Sequence, residues 1–347
     1  MPTIGPTAAR IAEAYAAVAR LGSQTAAAKA LGIPRSTLKN WVNGQVKPVE
    51  QRAGVYIEEA NNDLATRLQA ENATLKESLQ NATRPRYTVR QDIASRGERL
   101  RVIVIGDAHD SPSLENKERF EHIGKHINSA RPDVVIQIGD FMTADSVSTH
   151  EGNHTIGGKS KPTYSEDIAS FRLALDAIGS ALNYKPEMHV TLGNHERRVM
   201  AFEHENPEIE GMMSEKLNLA LSDRGWTYSP YGEPTFYGGV AFLHAALNRL
   251  GKTFGGKTSE NQIANETMTD VVIGHSHIKR VVRFSKLHHR HVTVANVGCA
   301  LPDGHIENYA THAMTGWSYG IMTLGIKDGH IVDDEWVSIA TLKERHG

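Results

Sequence analysis

LRVIVIGDAHD, residues 100–110, is an aliphatic run that breaks at Gly106 and then sets an aspartate and a histidine two places apart. A short apolar run ended by a turn residue is a strand pattern. A glycine at its end lets the backbone turn sharply. Asp107 and His109 are costly to bury unless something pairs with them. Their spacing predicts side chains on one side of an extended segment.

The same design recurs downstream. DVVIQIGDFMTAD (133–145) ends a run at Gly139 and places Asp140. MHVTLGNHERR (188–198) places Asn194 and His195 after Gly193. GVAFLHA (239–245) closes on His244, and VVIGHSHIKR (271–280) sets His275 and His277 after Gly274. Open sheets collect ligands beyond the carboxyl ends of their strands. Oxygen and imidazole donors without thiolate suit manganese, iron, zinc and similar ions. These donors are too many for one ion and suit two ions that share a carboxylate, an arrangement that clamps both sides of a phosphoryl displacement.

The ordered blocks GDAHD, GDFMTAD, GNHE, a lone histidine after a strand and GHSH resemble the calcineurin-like metallophosphoesterase superfamily. The resemblance runs from residue 100 to about 285, with the tail to 347 as closing strands. It implies an α/β fold, a four-layer αββα sandwich of two mixed sheets with helices outside. It implies that Asp107, His109 and His277 hold one divalent ion, that Asn194, His244 and His275 hold a second, and that Asp140 bridges them. Manganese leads as the metal, with iron, zinc or magnesium as alternatives. His195 is implied to protonate the leaving oxygen or to stabilise the transition state.

One departure matters. Family phosphatases carry GDxxDRG, whose second aspartate orients the catalytic histidine and whose arginine grips phosphate. Here Asp140 is followed by Phe141, Met142, Thr143 and Ala144, so Thr143 stands where that aspartate would be and no arginine follows. Asp145 or Asp110 is expected to orient His195 instead. Arg197 and Arg198, next to GNHE, suit phosphate or an ordinary helix start.

The remaining chain divides into three further regions. Residues 1–50 contain QTAAAKALGIPRSTLKNWV (24–42), in which Ala28, Gly32, Leu38 and Trp41 fall where a helix-turn-helix needs a small contact, a turn glycine and two core residues. Its second helix would present Arg35, Ser36, Thr37, Lys39 and Asn40 to phosphates and base edges. The segment resembles the DNA-binding domains of small transcription regulators and transposases. Residues 51–83 contain Ala65, Leu68, Asn72, Leu75 and Leu79 at alternating steps of three and four, a coiled-coil helix with Asn72 in the seam. A homodimer through residues 61–82 is expected, with a single spacer helix as the alternative. Residues 84–100 read as a basic linker into a phosphoesterase domain over 101–347.

Composition sets the outer bounds. The 347 residues carry 38 Lys and Arg against 40 Asp and Glu, a formal charge of -2, so global charge neither implies nor excludes nucleic acid. With Cys299 as the one cysteine, neither an internal disulfide nor a thiolate zinc site is possible. No signal peptide or membrane span is read, and the cytoplasm (of a host, if the gene is viral) is the expected compartment. In the loop SVSTHEGNHTIGGKSKPTY, His150 and His154 could cover a site, and Lys159, Lys161 and Tyr164 could meet a nucleic-acid backbone. KLHHRHV, with His288, His289 and His291, reads as a polar strand face, and Trp317 as packing.

Three functions follow. The first is a DNA-directed phosphodiesterase, in an arrangement similar to nuclease-like phosphoesterases of viruses and prophages. The second is a phosphomonoesterase or cyclic-nucleotide phosphodiesterase tethered to DNA. The third is a non-catalytic DNA-binding regulator.

Overall fold

Alternation within the aliphatic strands decides which layer each side chain enters. The computed structural model describes residues 6–48, 89–90, 99–114, 117–149, 156–288, 290–307, 310 and 315–347. The chain divides into two compact units, 1–85 and 86–347.

The first unit contains α1 (Ala8–Leu21), α2 (Gln24–Ala30) and α3 (Arg35–Val42). The Thr7 and Ser23 hydroxyls accept N–H bonds at the starts of α1 and α2, and Gly22 ends α1 in the left-handed conformation. Its core is Ala14, Ala17, Ala27, Ala28 and Leu38, with Trp41 packed against them. Alanines bring the helices close, and Gly32, at φ +65°, turns the chain between α2 and α3. Arg35, Ser36, Lys39 and Asn40 are exposed and Thr37 is half-buried. The coiled coil over 51–83, and with it the dimer contact, lies outside the described residues.

The second unit runs in chain order through β1 (Val89–Arg90), β2 (Leu100–Ile105), α4 (Glu118–Ala130), β3 (Val134–Gln137), the single turn α5 (Ile156–Lys159), α6 (Tyr164–Ser180), β4 (Glu187–Thr191), α7 (Asn194–Glu205), α8 (Met212–Ser222) and β5 (Trp226–Ser229). It continues with β6 (Thr235–Tyr237), β7 (Val240–Phe242), α9 (Ser259–Glu266), β8 (Val271–Ile273), β9 (Lys279–Ser285), β10 (His291–Val297), β11 (Gly320–Lys327), β12 (His330–Ser338) and α10 (Ile339–His346). The stretch read as a linker, 84–100, therefore contributes β1, which pairs in parallel with β6 through Val89 and Phe236.

One sheet has the order β12-β11-β2-β3-β4-β5, with β2 to β5 parallel. The other has the order β1-β6-β7-β8-β10-β9 and is mixed. In β2, Val102 and Val104 pack with Val240, Phe242, Val272 and Val297 between the sheets, while Ile103 and Ile105 turn outward onto Ile123, Phe171 and Leu175 of the helices. In β8, Val272 faces inward and Val271 and Ile273 face Ile263 of α9. These are the four layers the fold reading expected, helix, sheet, sheet and helix. Among the described residues no helix is long and apolar enough to cross a membrane.

Candidate metal centre

The carboxyl ends of β2, β3, β4, β7 and β8 meet at one edge of the sandwich, and backbone bonds sew their loops together. Ala108 and His109 donate their N–H groups to the Asp140 carbonyl at 3.0 and 2.9 Å. The Gly274 N–H reaches the His244 carbonyl at 2.9 Å. One link between the sheets is the side chain of Asp107, whose Oδ2 accepts the His275 N–H at 2.9 Å.

The paired residues converge, though not by strand alternation. β2 ends at Ile105 and β8 at Ile273, before the polar residues begin. His109, Asp140, His275 and His277 all adopt positive φ, at 43, 49, 69 and 59°. A left-handed turn costs a non-glycine residue about 1 kcal/mol or more, and such strain collects at functional sites. Two glycines are needed for close approach rather than for turning. A Cβ on Gly274 would lie 2.3 Å from Asp107 Oδ1, and one on Gly193 2.1 Å from Asp140 Oδ1.

Three donor groups result, with ligand atoms within 4.8 Å of one another: Asp107, His109 and His277; Asp140, His244 and His275; and His109, Asp140 and His195. His109 Nε2 and His277 Nε2 are 3.0 Å apart, and His277 Nε2 is 3.2 Å from Asp107 Oδ2. His244 Nε2 is 3.0 Å from Asn194 Oδ1 and 3.2 Å from Asp140 Oδ2. Asp140 Oδ1 accepts the His195 N–H at 2.8 Å, which leaves Oδ2 between the first two groups. It lies 3.9 Å from His109 Nε2.

The donors fit divalent cations. Asp107 Oδ1 is buried with no hydrogen-bond partner among the described residues. His244 Nδ1 lies 3.0 Å from the Ile138 carbonyl, which fixes the ring and turns Nε2 into the site, as metal-binding histidines require. Burial alone would push the Asp140 carboxyl up, but the imidazoles of His244 and His195 hold it well below the usual range. For His244, burial works downward, and Asp140 and Asp107 outweigh it and push the ring up to about 9. A cation at this cluster therefore displaces a proton from His244. Burial and neighbouring imidazoles lower His109 and His275.

Among the described residues no carboxylate hydrogen-bonds the His195 ring. Its Nδ1 bonds the Thr143 main-chain carbonyl at 2.9 Å, and Asp140 Oδ2 is 3.9 Å from Nε2. Asp110 is engaged elsewhere, by Lys117 and by the Ser170 hydroxyl at 2.6 Å. Asp145 opens a half-buried 3-10 turn and makes no hydrogen bond to the ring. Residue 143 thus serves through its backbone, whatever its side chain. Burial lowers the His195 ring below its ordinary value, and the Arg198 charge adds to that against Asp140.

Sequence reading passed over several residues. Glu196, fully buried, accepts the N–H groups of Gly193, Asp140 and Met142 at 2.8, 3.0 and 3.0 Å. Its signal was only the glutamate three residues beyond the helix cap. Arg119, fully buried, donates to the carbonyls of Ala300 and Ala108 at 3.0 and 3.1 Å and braces the loop that carries Asp107. Trp317, expected from the sequence as a packing residue, packs edge-on against the His277 ring, centroids 4.4 Å apart, at the rim of the cluster.

Other features lie apart from the donor cluster or lie outside the described residues. GKTFGGKT (251–258) has the spacing of a phosphate-binding loop. The helix it precedes instead carries buried Glu260 in its first turn, bonded to Asn296 and Arg280 at 3.0 and 3.1 Å, where an anion would be repelled. Tyr164 donates its hydroxyl to the Met213 carbonyl at 2.7 Å, and Lys161 donates to the Ser148 carbonyl at 2.6 Å. His288 and His291 join no metal-binding group among the described residues. His150, His154 and His289 lie outside those residues.

The calcineurin-like phosphoesterase family matches residues 100–291. No curated protein matches the sequence. Among solved structures, a single mutant of Vps29 from Entamoeba histolytica is similar at 15% identity, covering 69% of this chain and 98% of that one, with a TM-score of 0.32. Wild-type Vps29 complexed with Zn from the same organism is similar at 14% identity, with coverage of 69% and 99% and a TM-score of 0.31. A dimetal phosphatase from Danio rerio is similar at 9% identity, with coverage of 69% and 99% and a TM-score of 0.29.

Proposed function

The chain belongs to the calcineurin-like phosphoesterase family and is a metal-dependent phosphoester hydrolase, and from that premise we propose that it cleaves the phosphodiester backbone of DNA at a two-metal centre. The observation that carries the two-metal part is the position of Asp140 Oδ2, between the group formed by Asp107, His109 and His277 and the group formed by His244 and His275. In this reading those first three residues would hold one ion, Asn194, His244 and His275 would hold the other, and Asp140 would serve both. Manganese is the proposed metal, with iron, zinc or magnesium as alternatives.

When bound, two such ions supply acidification of water and neutralisation of charge on the phosphoryl group. The chain's own residues do the rest. Glu196 holds the loops bearing Asp140 and Asn194 in register through three backbone N–H groups. The Thr143 carbonyl aims the His195 ring into the cluster, and His195, once Nε2 has taken up a proton, is the residue placed to pass it to the leaving oxygen.

DNA as substrate rests on the first unit. Its short helices expose Arg35, Ser36, Lys39 and Asn40 with Thr37 beside them, a set suited to phosphates and base edges. A tethered DNA reader raises the local concentration of an attached enzyme's substrate. The helix-turn-helix, a homodimer through residues 61–82, a cytoplasmic site and a viral or prophage origin belong to the same proposal.

Purified chain is incubated with linear duplex and single-stranded DNA, with manganese, with magnesium and with EDTA. Bis(p-nitrophenyl) phosphate and p-nitrophenyl phosphate are run beside them. Metal-dependent DNA cleavage, absent in His195→Ala, is expected. Intact DNA with turnover of the small esters would move the substrate to a nucleotide or monoester.

A further inference from the structure

Thr143, His195 and Arg198 are joined by hydrogen bonds beside Asp140. The Thr143 carbonyl receives two donors, His195 Nδ1 at 2.9 Å and Arg198 Nη1 at 3.0 Å. Arg198 Nη2 lies 3.2 Å from His195 Nε2. A guanidinium carries donors only, so Nε2 accepts in that contact and the ring proton resides on Nδ1. The hydrogen-bond network assigns this tautomer. Both side chains come from one face of α7, three residues apart.

The four residues directly after Asp140 offer no cation. Phe141, Met142, Thr143 and Ala144 are all buried and uncharged. Arg198 is half-buried, and its guanidinium is held at the edge of the donor cluster by a neighbour that Asp140 also contacts. We propose that Arg198 supplies the guanidinium that grips a non-bridging phosphoryl oxygen of the substrate, in place of the arginine missing after Asp140, with the Thr143 carbonyl positioning it. The proposal rests on the phosphoester reading of the metal centre. A planar fork of N–H donors matches phosphate oxygens, and one edge of it can stay on Thr143 while the other turns from His195 Nε2 to the substrate.

The test uses the manganese-loaded full chain with Arg198→Ala and Arg198→Lys. Three quantities are read: manganese content, the dissociation constant of inorganic phosphate, and KM and kcat on bis(p-nitrophenyl) phosphate. The expected result is unchanged manganese and phosphate binding weakened about tenfold or more in the alanine variant, because a charge-assisted hydrogen bond to phosphate is removed. KM rises more than kcat falls, the lysine variant is impaired less, and added guanidinium ion restores part of the alanine variant's affinity. Phosphate affinity within about twofold of wild type in both variants would overturn the proposal, since removing a hydrogen bond to a charged group costs more than that. So would loss of manganese from both, which would assign Arg198 to holding the fold. If the wild type turned over no phosphoester, the reading of the centre would fail, while phosphate affinity would still decide the role of Arg198.

Discussion

The Glu196 carboxylate accepts the backbone N–H of Asp140 at 3.0 Å, so a residue three places into α7 sets the position of the carboxylate between the two donor groups. The same oxygen, Oε2, also accepts from Gly193, and Oε1 accepts from Met142. Glu196→Ala strands three buried donors, each at a cost of about 1–3 kcal/mol. The expected outcome is a fall in Tm together with weaker metal loading, and Glu196→Gln, which keeps one good acceptor, falls between. Thermal unfolding followed by manganese titration checks this; a Glu196→Ala variant with wild-type Tm and loading would refute the strut role.

Gly274 and Gly193 make room for the two carboxylates. Gly274→Ala would press a methyl to 2.3 Å from Asp107 Oδ1, and Gly193→Ala to 2.1 Å from Asp140 Oδ1. Since each carboxylate is tied to a backbone N–H, Asp107 through Oδ2 and Asp140 through Oδ1, the added methyl must push it off that bond. Metal content by elemental analysis is expected to drop in each variant while circular dichroism stays native-like. Full metal content in either would show that so close an approach is not needed.

Much of the centre was legible in the sequence because strand ends and polar donors are local signals. Asp107, His109, Asp140, Asn194, His244, His275 and His277 all meet at one edge, as the repeated run-glycine-donor design implied. Alternation on a strand does not explain the pairing, since His275 and His277 sit in left-handed turns. What escaped was what depends on a backbone partner. A carbonyl such as that of Thr143 has no sequence signature, so a missing aspartate suggested a search for another carboxylate. β1 escaped too, since Val89 and Arg90 sit in arginine-rich sequence and gain strand geometry only by pairing with β6.

Asp167 links pH to stability. Burial pushes its carboxyl up from 3.8 to about 6, against the bond it accepts from the Ser146 N–H. The folded state therefore holds this proton more tightly than the unfolded state does. Its contribution is full below about pH 4 and is lost as pH rises through about 6, an effect of the order of 3 kcal/mol at most. Asp167→Asn removes the linkage. Denaturant melts between pH 4 and 7 are expected to show wild type losing stability relative to that variant as pH rises; parallel curves would contradict the assignment.

Lys39 and Arg35 separate binding from chemistry. With both changed to alanine, DNA affinity is expected to fall. The salt dependence of binding is expected to flatten, its slope falling by about one for each phosphate that is no longer neutralised. Turnover of bis(p-nitrophenyl) phosphate is expected to stay at the wild-type rate. Unchanged DNA affinity at every salt concentration would remove α3 from the DNA surface.

A pair of ions sharing Asp140 is put to the test by manganese stoichiometry measured alongside diester turnover in wild type and Asp140→Asn. Two ions per chain and turnover are expected in the wild type, and at most one ion with no turnover in the variant. A single ion in the active wild type, or near-normal turnover by Asp140→Asn, would contradict it.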